Sequence, residues 1–302
     1  MSRPVRFRVV ESEEGTTIQH LVARRLPNVD MAGAKSLVKG GAVYVGHLRV
    51  RVPTIRVTTG ERVTVYPDAL AKTELPPDAV RFVHRDPHFV VLDKPPGVPV
   101  AQTRDSARGT LSEALRAVLR SEGVVRPYVG VVHRLDQGAS GLVLFTIRGV
   151  ANKSLHRQFS EHRIVRRYRV RVVGDPPATV RCEAPLIELR HGRVRVANDG
   201  ETRARTAVTE LRRITPVHAE VDGVEAPLLE VTLETGRTHQ IRVHAQHLGY
   251  PVLGDHKYGN PTEGEPTRLH LHADHLRFEH PQTGDVIELH APRPAWAGST
   301  ED

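Results

Sequence analysis

The chain has 302 residues, 39% of them hydrophobic and 26% charged, which suffices for packed cores and for about two domains of ordinary size, and excludes a peptide or a disordered tail. It carries 43 Lys and Arg against 35 Asp and Glu, a formal charge of +8, and its single cysteine, Cys182, excludes a disulfide framework, a cysteine-rich zinc site and a redox pair. The longest apolar stretch, Gly141 to Ile147, is far shorter than the ~20 residues of a membrane-spanning helix, and MSRPVRFRVV contains no signal-peptide core, so a reducing, cytoplasmic location is expected.

The charge is concentrated at the front. Residues 1–67 hold eleven Lys or Arg against five Asp or Glu, a net +6, leaving +2 for the other 235. Such a balance suits either a nucleic-acid-binding module or a solvated basic face. From Thr17, the apolar positions Ile18, Leu21, Val22 and Leu26 define one face of a short helix ended by Pro27. Asp30 is placed to cap a second helix with the stripe Ala34, Leu37 and Val38, stopped by Gly40 and Gly41. The period then becomes two at Val43 and Val45, Leu48 and Val50, and Val63 and Val65, predicting short strands that end near Tyr66. Residues 66–80 contain three prolines and no period and read as a linker.

A second domain is expected from Arg81. Phe89 to Leu92 is a buried-strand run, Thr110 to Leu119 has helical spacing, and the polar cluster HRLDQGASG at 133–141 leads into the apolar strand LVLFT. A helix is predicted at about Asn152 to His162. Tyr168, Val170 and Val172 then alternate along a strand, as do Leu229, Val231 and Leu233 before the turn ETGRTHQ. Ile241, Ala245 and Leu248 mark a last helix stopped by Gly249.

Asp136 lies between Arg134 and a glycine-containing turn, where backbone can approach a ligand. A carboxylate beside fixed arginines stays ionised and can act as nucleophile, general base or half of a structural ion pair. Ser140 does not fit a Gly-x-Ser-x-Gly elbow, and Cys182 has no catalytic motif around it and reads as a small residue at a strand end. His270, His272 and His275, and His244 with His247, have ligand-like spacing, yet no HExxH-like carboxylate accompanies them, so on spacing alone a metal site stays open as the less favoured reading. Arg237, His239, Gln240, Arg242 and His244 cluster around a turn and helix start suited to an anion.

Taken in order, His133-Arg134-Leu135-Asp136 with Ser140-Gly141, Arg167-Tyr168, Thr235 to Arg242, Leu271-His272-Ala273 and His280-Pro281 resemble the RluA-type pseudouridine synthases. Lys94-Pro95-Pro96-Gly97 and Gly254-Asp255 to Tyr258-Gly259 fall in the expected places, so the resemblance spans nearly all of residues 81–292. Ala139 stands where the family usually has threonine, and Ala101-Gln102 where a His-Pro pair is common. The N-terminal unit resembles an S4 RNA-binding domain. The resemblance implies an α+β protein: an S4-like domain at 1–67, a linker at 68–80, a catalytic domain at 81–297 with a mixed, largely antiparallel sheet flanked by helices, and a tail at 298–302. It implies conversion of uridine to pseudouridine in structured RNA, large-subunit ribosomal RNA before transfer RNA, with no cofactor, no required metal, no membrane partner and a monomeric chain. Asp136 would be the nucleophile, Tyr168 would stack on the flipped base and assist removal of the C5 proton, and Arg242 would pair with the aspartate. Arg134 would help displace the target nucleotide, and Lys94, Arg237, His239, Arg24, Arg25, Lys35 and Lys39 are the other candidate RNA contacts. A non-catalytic ribosome-assembly factor on the same fold and a histidine-ligated metallohydrolase are the competing expectations.

Overall fold

In the computed structural model of the chain, which describes residues 4–70, 75–102, 109–189, 192–216, 218–259 and 266–298, the backbone divides into two units. One comprises Met1–Pro77 and Ala101–Ala117, the other Asp78–Val100 and Val118–Asp302. The first unit contains β1 (Val5–Arg8), α1 (Ile18–Arg25), α2 (Met31–Lys39), β2 (Val43–Val45), β3 (Leu48–Val50) and β4 (Arg62–Val65). The Asp30 carboxylate accepts the Gly33 N–H at 2.7 Å, which caps α2 as its sequence predicts. Ile18, Leu21 and Val22 of α1 and Ala34, Leu37 and Val38 of α2 share a core with Val43, Val63 and Val65, so the helical stripes and the strand alternation meet in one apolar interior.

The strands form a four-stranded antiparallel sheet in the order β1-β4-β2-β3. Strand β1 was not anticipated: its alternation is confined to Val5 and Phe7 between arginines, and pairing with β4 stabilises it. Leu48, expected on the buried face, is 75% exposed because it pairs with Val45 beside the hairpin turn. The stretch expected to be a featureless linker contains two short 3₁₀ turns, Pro67–Leu70 and Pro77–Ala79. Residues 71–74 of it, and 299–302 of the expected tail, lie outside the described residues.

The second unit is built on β5 (Arg81–Arg85), β6 (Phe89–Lys94), β7 (Gly130–Val131), β8 (Ser140–Thr146), β9 (Val165–Arg171), β10 (Thr179–Cys182), β11 (Leu186–Glu188), β12 (Val194–Val196), β13 (Thr209–Arg213), β14 (Glu220–Val221), β15 (Val224–Glu225), β16 (Leu228–Leu233), β17 (Leu271–Glu279) and β18 (Val286–His290). Its helices include α4 (Gly149–Ser160) and α5 (Gln240–His247), while α3 (Leu111–Ser121) crosses the division between the units. Ten strands form one sheet in the order β10-β13-β16-β9-β17-β8-β6-β5, with β18 paired to β17 and β7 to β8. Only the β17–β8 pair is parallel, so the sheet is mixed and largely antiparallel, as expected. The central β17 is buried from Leu271 to Leu276, as a strand with neighbours on both sides requires. Tyr168, Val170, Leu229, Val231, Ile241 and Ala245 join β9, β16 and α5 in one core. No helix among the described residues is long and apolar enough to cross a membrane.

Candidate active site

Asp136 sits in the segment between β7 and β8, and two devices hold that segment. Lys94, at the end of β6, is 0% exposed and donates from Nζ to the carbonyls of Pro95, Val98 and Gln137 at 2.9, 2.8 and 3.1 Å. Gly97 and Gln137 then exchange two bonds, Gly97 N–H to the Gln137 carbonyl at 2.8 Å and Gln137 Nε2 to the Gly97 carbonyl at 2.9 Å. Lys94 is therefore a fastener for the Asp136 loop, which corrects its expected role as an RNA contact: all its donors are spent inside the protein, and burial pushes its pKa down to about 7. The second device is register. Ala273 of β17 lies opposite Gly141 of β8 on one side and Tyr168 of β9 on the other, so one intervening strand fixes the spacing between the loop's exit and the tyrosine.

Arg242, in the first turn of α5, joins two carboxylates. Its Nε and Nη2 donate to Oδ2 and Oδ1 of Asp255, each at 2.7 Å, and its Nη1 donates to Asp136 Oδ2 at 2.8 Å. Burial alone would lower the Arg242 pKa, but the Asp255 hydrogen bonds and the Asp136 charge raise it overall. Burial likewise opposes ionisation of Asp255, and Arg242 together with the Lys257 and Tyr258 amides holds its pKa below the usual range. Asp136 Oδ1 is left without a hydrogen bond among the described residues. His239 Nε2 lies 3.8 Å from it. His239 adopts φ +55° at the start of α5, and its Nδ1 shares a 2.6 Å hydrogen bond with the Tyr258 hydroxyl. Burial lowers the pKa of His239 more than Asp136 raises it, so the ring is held toward its neutral form. A cleft of about 840 Å³, lined by Pro96, Gly97, Gly138, Arg193, Arg242 and Lys257 among others, opens beside these groups.

Tyr168 is buried at 6% exposure, and burial raises the pKa of its phenol, which keeps it protonated at neutral pH. Arg134 is exposed and forms no ion pair among the described residues. Arg237 donates from Nε to the Thr206 carbonyl at 2.9 Å, and its N–H is capped by Gln240 Oε1 at 3.0 Å, so part of the expected anion-binding turn is satisfied internally. In the first unit, Arg24 and Arg25 both pair with the buried Glu13, at 2.7 and 2.8 Å, and these hydrogen bonds bring its pKa down to about 2. Lys35 and Lys39 are exposed on α2. The structure thus brings Asp136, Arg242, Tyr168 and His239 together. Asp255, Lys257 and Tyr258 complete the arrangement and were given no role from sequence, although the Gly-Asp and Tyr-Gly pairs marked their segment.

The histidines do not assemble as their spacing suggested. His270 and His272 both pack on Trp296, His272 Nδ1 meets Ser140 Oγ at 2.9 Å, and His244 bonds Thr209 Oγ1 and the Ala184 carbonyl at 2.8 and 2.9 Å. Among the described residues, one group has metal-ligand geometry, His275, Glu288 and His290 on the β17–β18 pair, and it contains none of the residues around Asp136.

A family model described as RNA pseudouridylate synthase matches residues 88–247. The chain is 34% identical to the ribosomal large subunit pseudouridine synthase D of Zymomonas mobilis subsp. mobilis over 95% of this chain and 93% of that protein. It is 33% identical to the ribosomal large subunit pseudouridine synthase C of Salmonella typhi over 94% of this chain and 91% of that one. Among solved structures, human RNA pseudouridylate synthase domain containing 1 aligns with a TM-score of 0.59 at 25% identity, covering 74% of this chain and 87% of its own.

Proposed function

The chain belongs to the RNA pseudouridylate synthase family, in its RluA-type branch, and from that premise we propose that it isomerises uridine to pseudouridine in large-subunit ribosomal RNA with Asp136 as the nucleophile. The observation that carries this reading is the division of labour around Arg242: Asp255 takes two of its donors, Asp136 Oδ2 takes the third, and Asp136 Oδ1 keeps its lone pairs for the substrate. The fixed guanidinium aims the carboxylate, and attack at the sugar C1′ or at C6 of the base makes the same demand on it. The N1–C1′ bond breaks, the base turns, C5 bonds to C1′, the bond to Asp136 breaks, and the C5 proton leaves as N1 gains one. This rearrangement consumes no oxidant, reductant or water. The target base has to leave its stack to reach a half-buried carboxylate, and Tyr168 offers it an aromatic face. Exposed Arg134, with Arg237 and His239, suits displacement and grip of the nucleotide. The helix pair, the four-stranded sheet it packs with and the +6 charge of residues 1–67 support an S4-like RNA-binding module.

Tritium release from 23S ribosomal RNA transcripts labelled at uracil C5, with transfer RNA transcripts in parallel, tests the assignment. Asp136→Asn is expected to abolish release while RNA affinity persists, and turnover retained by that variant overturns the nucleophile. Tight, salt-sensitive binding without release by the wild type favours a non-catalytic RNA-binding factor instead.

A further inference from the structure

Strand β9 carries three buried arginines, and two of them have partners within the fold. Arg171 donates to the Trp296 and Ala226 carbonyls, both at 2.9 Å, and Arg169 lies 3.5 Å from Asp274. Arg166 differs. It is 8% exposed, its Nε is shut off from solvent without an acceptor, and among the described residues its guanidinium forms no ion pair and no hydrogen bond. What it does meet is the Phe159 ring, 5.4 Å from the guanidinium carbon, and that ring stacks at 5.0 Å on His133, the first residue of the HRLD segment. On its other side, Nη1 lies 2.6 Å from where a Cβ on Gly236 would stand, so the turn leading to Arg242 has room there for glycine.

Arg166 precedes Tyr168 by two residues, which places both side chains on one face of the strand. The charges of Arg166 and Asp136 both act on the Tyr168 phenol, in opposite directions. A positive charge thus stands among the Asp136 loop, the Arg242 turn and the tyrosine, with no anion paired to it among the described residues. Burying such a charge is costly unless a counter-charge arrives from outside.

We propose that Arg166 receives a phosphodiester of the substrate RNA, gripping the backbone beside the extruded nucleotide while Tyr168 meets its base. The inference rests on the RNA-modifying reading of this site and adds a substrate contact to it. A guanidinium matches a phosphate with two parallel N–H donors, and each phosphate neutralised adds to the salt dependence of binding.

The test is Arg166→Met in the full chain, which keeps an apolar stem and removes the charge, with Arg166→Lys as the conservative partner, both assayed on the C5-labelled 23S transcript. Arg166→Met is expected to raise KM about tenfold or more and to reduce the slope of log(kcat/KM) against log salt by about 0.7. Its Tm should hold or rise, since an unpaired buried charge has gone, and Arg166→Lys should recover most of the salt slope. A lower Tm with an unchanged slope overturns the proposal in favour of a structural arginine, and a raised KM with an unchanged slope overturns it in favour of a contact to uncharged uracil carbonyls. If the wild type releases no tritium the synthase reading fails, and the salt slope of equilibrium binding to the same transcript then decides the phosphate contact separately.

Discussion

At the scale of single residues, the informative side chain is one that cannot reach the substrate. Asp255 is 2% exposed and takes the planar edge of Arg242 at two points. If that edge were free, the guanidinium could turn it toward Asp136 and occupy Oδ1, the oxygen proposed to attack the substrate. Asp255 is therefore a positioning residue, acting on Asp136 through Arg242. Asp255→Asn is expected to lower kcat about 10²-fold, the order of loss that follows a small misplacement of a reacting group, with KM for RNA nearly unchanged because no substrate contact is lost. Steady-state tritium release separates the two constants, and a wild-type kcat would show that Arg242 is aimed by something else.

At the scale of elements, the site depends on how closely β8 approaches β17. Gly141 has φ +103°, and a Cβ there would run into the main-chain N, C and O of Ala273. The same Ala273 faces Tyr168 on its other side, so widening this pair shifts the loop carrying Asp136 away from the tyrosine. Gly141→Ala is expected to cost about 3 kcal/mol, combining left-handed backbone strain with a clash that main chain cannot relieve. Thermal unfolding measures it, and an unchanged melting curve would mean the pair opens at little cost. The parallel β8–β17 pairing could not be read from the chain, because apolar runs announce burial and say nothing of which strand lies alongside.

At the scale of the whole molecule, the +6 of residues 1–67 is not uniformly available to RNA. Arg24 and Arg25 neutralise the buried Glu13, and removing them would strand that carboxylate. Lys35 and Lys39 are exposed on α2 and are the cleaner probes. Lys35→Ala combined with Lys39→Ala is expected to weaken RNA binding and to flatten its log-log salt slope by up to about 2, at unchanged Tm. Fluorescence anisotropy across a salt series reads this, and an unaltered slope would remove α2 from the RNA-contacting surface.

The sequence by itself determined the parts that local chemistry dictates. The stripes Ile18-Leu21-Val22 and Ala34-Leu37-Val38, the Asp30 cap, the alternation around Tyr168 and the ordered motifs carrying Asp136, Tyr168 and Arg242 are all readable from near neighbours, since helix and strand periods and motif spacing are short-range properties. Only the tertiary structure decided what lies far apart along the chain. Arg242 meets Asp136 across 106 positions, and Lys94 reaches the Gln137 carbonyl across 43. A lysine expected to meet RNA became a buried fastener, an aspartate without an assigned role became the brace of Arg242, and one of three buried arginines in β9 was left without an acidic partner among the described residues. Burial and pairing of charge belong to the packed fold, because the free energy of a charge depends on what surrounds it in space.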